Sequence, residues 1–395
     1  MRLVHLADLH LGYRQYQRLT PGGINQREAD VARTFSAAIQ RIISLAPDLV
    51  LVAGDVFHNV RPTNQAILHA FLQFHRLVRA LPETIVIVVA GNHDTPRSAD
   101  TGGILQLFSQ LGIHVVDREP QRLPFPDLDL SVLAVPDTHT WRTALTPDPS
   151  ARHNVLLLHG EVEGMLPAHV AATDRAAVAI THEEIGAARW SYVALGHYHV
   201  YREIAPNAYY SGSLDYTSAN TWGELFEERL AGVPGKGFIE RDLESGAHAY
   251  HPLPPSRPLV DLPHISARSM TAAELNERIR QTVDTCEGGI DEKVVRLVIR
   301  ELPRHLAREL DHKLLREYKR RALNFQLDIR RPEALRLHAS GAPGRRPSLA
   351  DFVREKLQSR SIGNDIDQRE FVERGLAYLR EAESAPVAPT AVLDS

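Results

Sequence analysis

The sequence predicts an α/β fold in which helices flank a layered sheet. Short apolar segments of strand length alternate with longer segments whose apolar residues recur at helical spacing. Several of the short segments end directly at glycine, aspartate, asparagine or histidine. Open α/β folds gather their functional loops at the carboxyl ends of the strands, so this pattern predicts both the fold class and the place of a site.

The first ninety residues supply strands and helices in regular order. The predicted strands lie at 3–7, 49–53 and 84–90, and the predicted helices lie at 27–45 and 64–80. The second of these strands is apolar throughout, as expected for a strand that is buried on both faces. The second helix follows Pro62 and Thr63, which are start signals for a helix. This order predicts a βαβ arrangement.

The middle of the chain continues with shorter elements. A helix is predicted from Gly102 to Leu111, and a loop rich in proline and aspartate is predicted at 137–153. Further strands are predicted at 114–116, 128–135, 154–158, 190–195, 208–211 and 237–241. Residues 219–236 contain Gly232, Pro234 and Gly235, and we interpret this stretch as a surface insertion.

Two linkers divide the remainder of the chain. The segment 252–258, PLPPSRP, is stiff and marks the end of a first domain at 1–251. After it, a small α+β domain at 258–338 is predicted from helices at 271–283 and 305–321 and from strands at 293–299 and 324–329. A linker at 340–348, two short amphipathic helices within 349–382 and a disordered tail at 383–395 are predicted to complete the chain.

The composition is that of an ordinary globular protein without a global charge signature. The chain has 395 residues, of which 43% are hydrophobic and 24% charged, so we expect more than one domain. Its formal net charge of -4 means that any DNA-binding surface must be local. The single Cys286 excludes an intrachain disulfide and fits a reducing compartment. With no apolar run of membrane length and no leader, we expect a cytoplasmic protein that makes no membrane contact.

Polar clusters follow five of the apolar segments. The clusters are Asp8 with His10, Asp55 with His58, Asn92 with His93 and Asp94, His159, and His197 with His199. Because loops at one end of a sheet converge, these side chains are expected to line one crevice. Carboxylate, imidazole and carboxamide groups together suit Mn²⁺, Fe²⁺ or Zn²⁺.

Two ligand shells can be assembled from these residues. The first shell consists of Asp8, His10 and His199, the second consists of Asn92, His159 and His197, and Asp55 bridges the two metals. Such a pair would activate a water for in-line attack on a phosphate. His93 would then stabilise or protonate the developing charge, and Asp94 would orient His93 or a ligand by hydrogen bonding.

Simpler interpretations exist for each cluster by itself. Taken singly, His10, His58 and His159 are more often surface or core histidines than metal ligands. The segment from Gly91 to Asp94 could be a turn, and that from Gly196 to His199 could be a polar strand edge. All five clusters at strand ends favour the metal site.

The motifs resemble those of the calcineurin-like metallophosphoesterases. The matching segments are Asp8-Leu-His10, Gly54-Asp55-Val-Phe-His58, Gly91-Asn92-His93-Asp94, His159-Gly160 and Gly196-His197-Tyr-His199. Within that family, His58 after Gly-Asp-x-Phe resembles the nuclease branch, and the sequence is most similar to the SbcD-type nuclease subunits of double-strand-break repair complexes.

This resemblance implies a fold and an activity. The fold would be a four-layer sandwich of two mixed sheets flanked by helices, with a small α+β capping domain and a C-terminal helical pair. The site would hold two Mn²⁺ ions, with Fe²⁺ and Zn²⁺ also suited to the ligands, and His58 and His93 would have catalytic or phosphate-positioning roles. The activity would be that of a 3′–5′ exonuclease and a single-strand or hairpin endonuclease in DNA repair, associated with the nucleoid.

The resemblance also implies DNA, an ATPase and a second copy of the chain as partners. The capping domain carries basic residues that could neutralise phosphates, although a solvated helix face explains any one of them equally well. These residues are Arg296, Arg300, Arg304, Arg308, Lys313, Arg316, Lys319, Arg320 and Arg321, of which Arg304, Arg308, Lys319 and Arg320 are the preferred DNA contacts. Residues 349–382 would bind an SbcC-type coiled-coil ABC ATPase, or else pack on the chain's own core. A homodimer is also implied.

Two rival functions stay open at this point. A stand-alone metallophosphoesterase acting on small phosphoesters or cyclic nucleotides would use the same chemistry and would not need residues 349–382. A non-catalytic scaffold would retain the metal shell for stability alone, although the complete set of candidate ligands argues against it.

Overall fold

The computed structural model describes most of the chain. The described residues are 1–95, 103–138, 144–165, 176–332, 349–358 and 367–384. They fall into two compact units, Met1–Pro332 and Glu333–Ser395. The predicted linker at 340–348 and nearly all of the predicted tail at 383–395 lie outside the described residues. The domain boundary predicted at 251–258 stays a prediction, because the first unit contains the first predicted domain and most of the second.

The first sheet contains the strands that the amino-terminal sequence predicts. In spatial order its strands are β14 (His248–Pro252), β13 (Gly237–Asp242), β1 (Arg2–Leu6), β2 (Leu49–Ala53), β3 (Ile85–Val89) and β4 (His114–Val116). Strands β1 to β4 are parallel, and β13 pairs antiparallel with β1. The crossovers are helix α1 (Gln26–Leu45), helix α2 (Asn64–Ala80) and a 3₁₀ helix at Ile104–Leu111, which corresponds to the helix predicted from Gly102 to Leu111, although Gly102 itself lies outside the described residues.

The second sheet is also mixed. Its strands in spatial order are β11 (Arg202–Ala205), β12 (Ala208–Tyr210), β10 (Tyr192–Gly196), β7 (His153–His159), β6 (Leu130–Val135) and β5 (Gln121–Phe125). The four inner strands are parallel, and the two edge strands are antiparallel to their neighbours. A two-stranded ribbon of β8 (Glu161–Val162) and β9 (Ala179–Ile180) leads into the short helix α3 (His182–Ile185).

The two sheets stack face to face between helices. Side chains alternate across a strand, so Val50 packs with Phe35 of α1 while Leu51 packs with Leu157 of the second sheet. The outer face of the second sheet packs against Ile185 of α3 and Trp190. This arrangement confirms the predicted four-layer sandwich of two mixed sheets and flanking helices.

A small α+β module follows the sandwich and has its own core. It contains strands β15 (Leu259–Asp261), β16 (Ile265–Ser266), β17 (Val294–Arg300) and β18 (Asn324–Ile329). Helix α4 (Thr221–Ala231) precedes this module in the chain. The helices of the module are α5 (Ala272–Asp284), α6 (Arg304–Arg308) and α7 (His312–Arg321). The predicted single helix at 305–321 is wrong, because the Asp311 carboxylate accepts from the backbone N–H groups of Lys313 and Leu314 at 3.0 Å each and starts a new helix.

The stretch 219–236, predicted as a surface insertion, forms a helix with one exposed and one buried side. Residues Thr221–Ala231 form helix α4, whose Glu224 and Glu228 are buried, and Lys236 after the helix is 1% exposed. Charged side chains spaced one turn apart predict a solvated face, and only their pairing in the folded chain allows them to be buried.

The second unit contains the predicted pair of amphipathic helices. Helix α8 spans Leu349–Gln358 and helix α9 spans Gln368–Ser384. The Gln368 Nε2 donates to the Leu357 carbonyl oxygen at 2.8 Å. A Cβ added at Gly375 would lie 2.3 Å from Leu357 Cδ1, so glycine permits the close contact of the two helices. No helix among the described residues of either unit is long and apolar enough to span a membrane.

Candidate metal centre

The predicted site residues follow the carboxyl ends of five parallel strands. Asp8, Asp55 and Asn92 lie two or three residues beyond β1, β2 and β3 of the first sheet. His159 is the last residue of β7, and His197 follows β10, both in the second sheet. Because the two sheets stack, the two edges meet, and the structure brings these residues together from both sheets.

The backbone of this edge is strained where the site residues stand. Asp8, His10, Asp55 and His197 all have positive φ, at 53°, 46°, 52° and 105°. Each such conformation costs a residue with a side chain about 1–3 kcal/mol and persists only where the surroundings impose it. Part of that support is visible, because the His10 N–H donates to the Asp55 carbonyl oxygen at 2.9 Å. Strain of this kind concentrates at functional sites.

One group of donors surrounds Asn92. The Asn92 Oδ1 lies 3.0 Å from His159 Nε2 and 3.3 Å from His197 Nδ1, and His159 Nε2 lies 3.6 Å from Asp55 Oδ2. The other His159 ring nitrogen, Nδ1, lies 2.8 Å from the Ala53 carbonyl oxygen. A carbonyl oxygen only accepts hydrogen bonds, so His159 Nδ1 carries a hydrogen. His159 Nε2 therefore faces the other candidate metal-ligand atoms.

A second group of donors lies beside the first. The ligand atoms of Asp8, His10 and His199 all lie within 4.8 Å of one another, and the same holds for Asp8, Asp55 and His159. His10 Nε2 lies 3.0 Å from His199 Nε2 and 3.7 Å from Asp55 Oδ2. Asp55 therefore reaches both groups, as a bridging carboxylate must.

The electrostatics of the cluster fit a divalent cation. Burial raises the pKa of Asp8 to about 6. Burial and then the neighbouring rings of His199 and His93 lower the pKa of His10. Burial opposes the charging of His159, but Asp55, Asp8 and Asp137 outweigh it and raise its pKa to about 9. Buried carboxylates and imidazoles thus share protons here, and a cation would supply the positive charge that those protons now provide.

His58 and His93 lie at one side of the cluster and are half-buried. Their rings stack with centroids 5.3 Å apart, and both meet the His10 ring edge to face. The His93 backbone N–H donates to Asp55 Oδ1 at 2.9 Å, and His93 Nδ1 lies 2.8 Å from the His58 carbonyl oxygen. Both rings line a pocket that also includes His199 and Tyr198.

Asp94 acts differently from the prediction. It was expected to orient His93 or a ligand ring, but its carboxylate accepts from the backbone N–H groups of Val56, Phe57 and Gly91 at 3.0, 2.9 and 3.1 Å. Burial and then the Asp55 carboxylate raise its pKa to about 7. Asp94 therefore holds the loops that carry the candidate ligands.

Glu224 and Lys236 belong to the site and were missed by the sequence analysis. The Glu224 carboxylate contacts His199 Nδ1 at 3.1 Å and Lys236 Nζ at 2.6 Å. Burial opposes the ionisation of Glu224, but Lys236 and His199 outweigh it and lower its pKa to about 2. The sequence offered one weak signal, namely Glu224 and Glu228 one helical turn apart in a stretch without another assigned role.

The four preferred DNA contacts lie on the small α+β module. Arg304, Arg308, Lys319 and Arg320 are exposed on α6 and α7, and none forms an ion pair with a described residue. Two other basic residues of the predicted set are engaged within the module. Arg296 pairs with Asp261 at 2.7 Å, and Arg321 pairs with Asp291 at 2.9 Å.

The amino-terminal part of the chain matches a known protein family. Residues 1–220 match the family model described as calcineurin-like phosphoesterase. The chain belongs to the calcineurin-like phosphoesterase family. The matched range contains every predicted metal ligand of this phosphoesterase, from Asp8 to His199.

Curated relatives of the phosphoesterase carry a common name. This chain is 40% identical over 97 residues to the DNA double-strand break repair protein Mre11 of Methanocaldococcus jannaschii, and the match covers 25% of this chain and 24% of that protein. It is 30% identical over 208 residues to the protein of the same name from Sulfurisphaera tokodaii, covering 51% and 49%. The match to the Methanopyrus kandleri protein is 25% over 218 residues, covering 51% and 45%. The chain thus spans less than half the length of each of these relatives.

Proposed function

We propose that this phosphoesterase is a metal-dependent DNA nuclease of double-strand-break repair. It would act as a 3′–5′ exonuclease and as an endonuclease on single strands and hairpins. The observation that carries the proposal is the meeting of the two donor groups through Asp55, with His58 and His93 at their edge. The similarity to relatives named as DNA double-strand break repair proteins supports the choice of DNA as substrate.

The proposed cofactor is a pair of Mn²⁺ ions, and the donor types also suit Fe²⁺ and Zn²⁺. One ion would be held by Asp8, His10 and His199, the other by Asn92, His159 and His197, with Asp55 shared. When bound, such a pair polarises a phosphate and lowers the pKa of a water molecule. The surroundings that impose positive φ on Asp8 and Asp55 would also hold their carboxylates in place before the substrate arrives.

His93 is the proposed proton donor to the leaving oxygen. Its Nδ1 faces the His58 carbonyl oxygen at 2.8 Å, and this contact assigns the Nδ1 hydrogen. The other ring nitrogen, Nε2, is then the atom through which His93 gives a proton to the substrate. The His58 ring stacks on His93 and keeps its plane fixed beside the pocket.

Hydrolysis of labelled DNA by the purified full chain tests this proposal. With Mn²⁺, the wild-type chain is expected to shorten single-stranded DNA from the 3′ end and to open hairpins. His93→Ala is expected to lose roughly 10²–10⁴ in rate, the usual contribution of a proton-transfer group, while still binding Mn²⁺. His182→Ala is the matched control, because His182 is an exposed histidine at the start of α3.

Two results would contradict the proposal. Hydrolysis of bis-p-nitrophenyl phosphate or cyclic nucleotides at a rate far above that of DNA would favour the stand-alone phosphoesterase. Binding of two Mn²⁺ ions without turnover of any of these substrates would favour the scaffold.

The helices α8 and α9 are the proposed contact for an SbcC-type coiled-coil ABC ATPase. Within this pair, Val372 is 7% exposed while Tyr378 is 63% exposed, so α9 has one covered face and one open aromatic side chain. Isolated helices of this length are marginally stable in water, which favours a role in binding. Equal recovery of the ATPase with the full chain and with a chain that ends at Pro332 would contradict this proposal.

The proposed homodimer would use the exposed surface of α2. Leu68 and Leu72 lie one turn apart on this helix and are 55% and 51% exposed. Together with Ala29 and Ala32 of α1, they line a shallow groove between the two helices. Exposed leucines at helical spacing are typical of helix-to-helix association.

A further inference from the structure

Helix α4 brings a buried carboxylate to the back of the proposed metal ligand His199. His199 Nε2 points toward His10, and its other ring nitrogen, Nδ1, contacts Glu224 Oε1 at 3.1 Å. Glu224 is 7% exposed and His199 is 8% exposed, so this contact is shielded from water. An ionised carboxylate only accepts, and His199 must therefore carry its hydrogen on Nδ1. The lone pair of Nε2 is then directed toward the proposed metal.

A buried lysine fixes this arrangement from a second direction. Lys236 Nζ lies 2.6 Å from Glu224 Oε2 and donates to the His199 carbonyl oxygen at 2.7 Å. The same ammonium group lies 3.0 Å from Glu228 Oε1. Lys236 directly precedes β13, which pairs with β1, the strand that leads to Asp8. The charge of Glu224 is thus compensated, and its position is tied to the first sheet.

The outer side of α4 is held by the small α+β module. The Trp222 indole N–H donates to Gln326 Oε1 at 2.8 Å, and the Arg296 guanidinium lies 4.8 Å from the centre of the indole ring. Arg296 is itself held by two hydrogen bonds to Asp261, at 2.9 and 2.7 Å. Helix α4 therefore has restraints on both sides, and Glu224 has little freedom to leave His199.

We propose that Glu224 is a positioning residue for one of the two metal sites. It sets the tautomer and the ring orientation of His199, and Lys236 keeps Glu224 in place. Carboxylates behind ligand histidines commonly change metal affinity by 10–100-fold. The inference rests on the proposed ligation by His199 and assigns a role to a helix that the sequence analysis had treated as an insertion.

Mn²⁺ binding to variants of the full chain tests the proposal. The wild-type chain is expected to bind two ions and to show the electron paramagnetic resonance signal of a coupled pair. Glu224→Ala is expected to bind one of the two ions about 10–100-fold more weakly and to lose the coupled signal. Glu224→Gln keeps an acceptor oxygen for His199 Nδ1 but lacks the charge, so its Mn²⁺ affinity is expected to lie between that of the wild type and that of Glu224→Ala.

Two further variants serve as references. His199→Ala should lose one ion entirely. Glu227→Ala is the matched control, because Glu227 lies on the same helix and accepts from Tyr198 rather than from a proposed ligand. Unchanged affinity for both ions in a folded Glu224→Ala chain would overturn the positioning role while leaving the metal site intact. Failure of the wild-type chain to bind Mn²⁺ would overturn the proposed metal site and the inference together.

A second measurement does not depend on the folding of Glu224→Ala. The ring ¹⁵N resonances of His199 can be assigned by their absence from the His199→Ala spectrum. In the Zn²⁺-loaded chain, Nδ1 is expected to be protonated and Nε2 to bind the metal. A metal bound through Nδ1 would overturn the proposal.

Discussion

Replacement of Asp94 by alanine is expected to destabilise the chain and to loosen the metal centre together. Asp94 is 1% exposed and accepts from the backbone N–H groups of Val56, Phe57 and Gly91. Alanine leaves these three buried donors unsatisfied, and each unsatisfied donor costs about 1–3 kcal/mol. Neighbouring effects do not add fully, so we expect a loss of about 3–6 kcal/mol. That loss is a large part of the roughly 5–15 kcal/mol by which a domain is stable.

Two of these hydrogen bonds, from Val56 and Phe57, join the loop that carries Asp55 to the loop that carries Asn92, and the third, from Gly91, lies within the Asn92 loop. Asp94→Ala is therefore also expected to weaken Mn²⁺ binding by about 10–100-fold. Asp94→Asn keeps one oxygen acceptor, so we expect it to lose less stability and less Mn²⁺ affinity than Asp94→Ala. Urea unfolding of the metal-free chains, followed by circular dichroism, gives the stability change, and calorimetric titration gives the Mn²⁺ affinity. An Asp94→Ala chain that unfolds at the wild-type urea concentration would refute the reasoning.

Three further outcomes are expected. Mn²⁺ binding at pH 7 should release about one proton or more per chain, because the pKa of His159 is raised to about 9 and the metal must displace its Nε2 proton. The Mn²⁺ affinity should therefore rise as the pH increases toward 9. Calorimetry in buffers of different ionisation enthalpy measures the proton release, and a pH-independent affinity would contradict the prediction. Leu68→Glu with Leu72→Glu should convert a dimer to a monomer in light scattering, whereas Leu128→Glu, at another exposed leucine, should not. Gly91→Ala should reduce the number of bound Mn²⁺ ions, because its Cβ would lie 2.1 Å from Asp55 Oδ1, whereas Gly22→Ala has room and should bind as the wild type does.

Elements with a strong local signal were predicted well. The strand predicted at 49–53 is β2 with the same ends, and the strand predicted at 324–329 is β18 with the same ends. Both are short apolar or alternating segments between turn-forming residues, and such a pattern depends only on neighbouring positions. The candidate ligands could be predicted for the same reason, since each follows such a strand.

Elements that depend on distant partners were predicted poorly. Helix α4 was missed because its buried charges are compensated by Lys236 and His199, which lie outside the helix. The break between α6 and α7 was missed because the apolar spacing continues across Asp311, whose carboxylate caps the second helix. The role of Asp94 was misjudged because its three donors lie in two separate loops.

The amino-acid sequence by itself determined the strands, the helices that alternate with them, and the oxygen and nitrogen donors at the strand ends. These features follow from the periodicity of apolar residues and from residue chemistry, both of which are local. The folded chain decided which donors share Asp55, which ring nitrogens of His159 and His199 face the cluster, and that Glu224 can be buried behind His199. Those outcomes depend on hydrogen bonds and charge pairs between residues far apart in the chain, and such pairs exist only after the two sheets have packed.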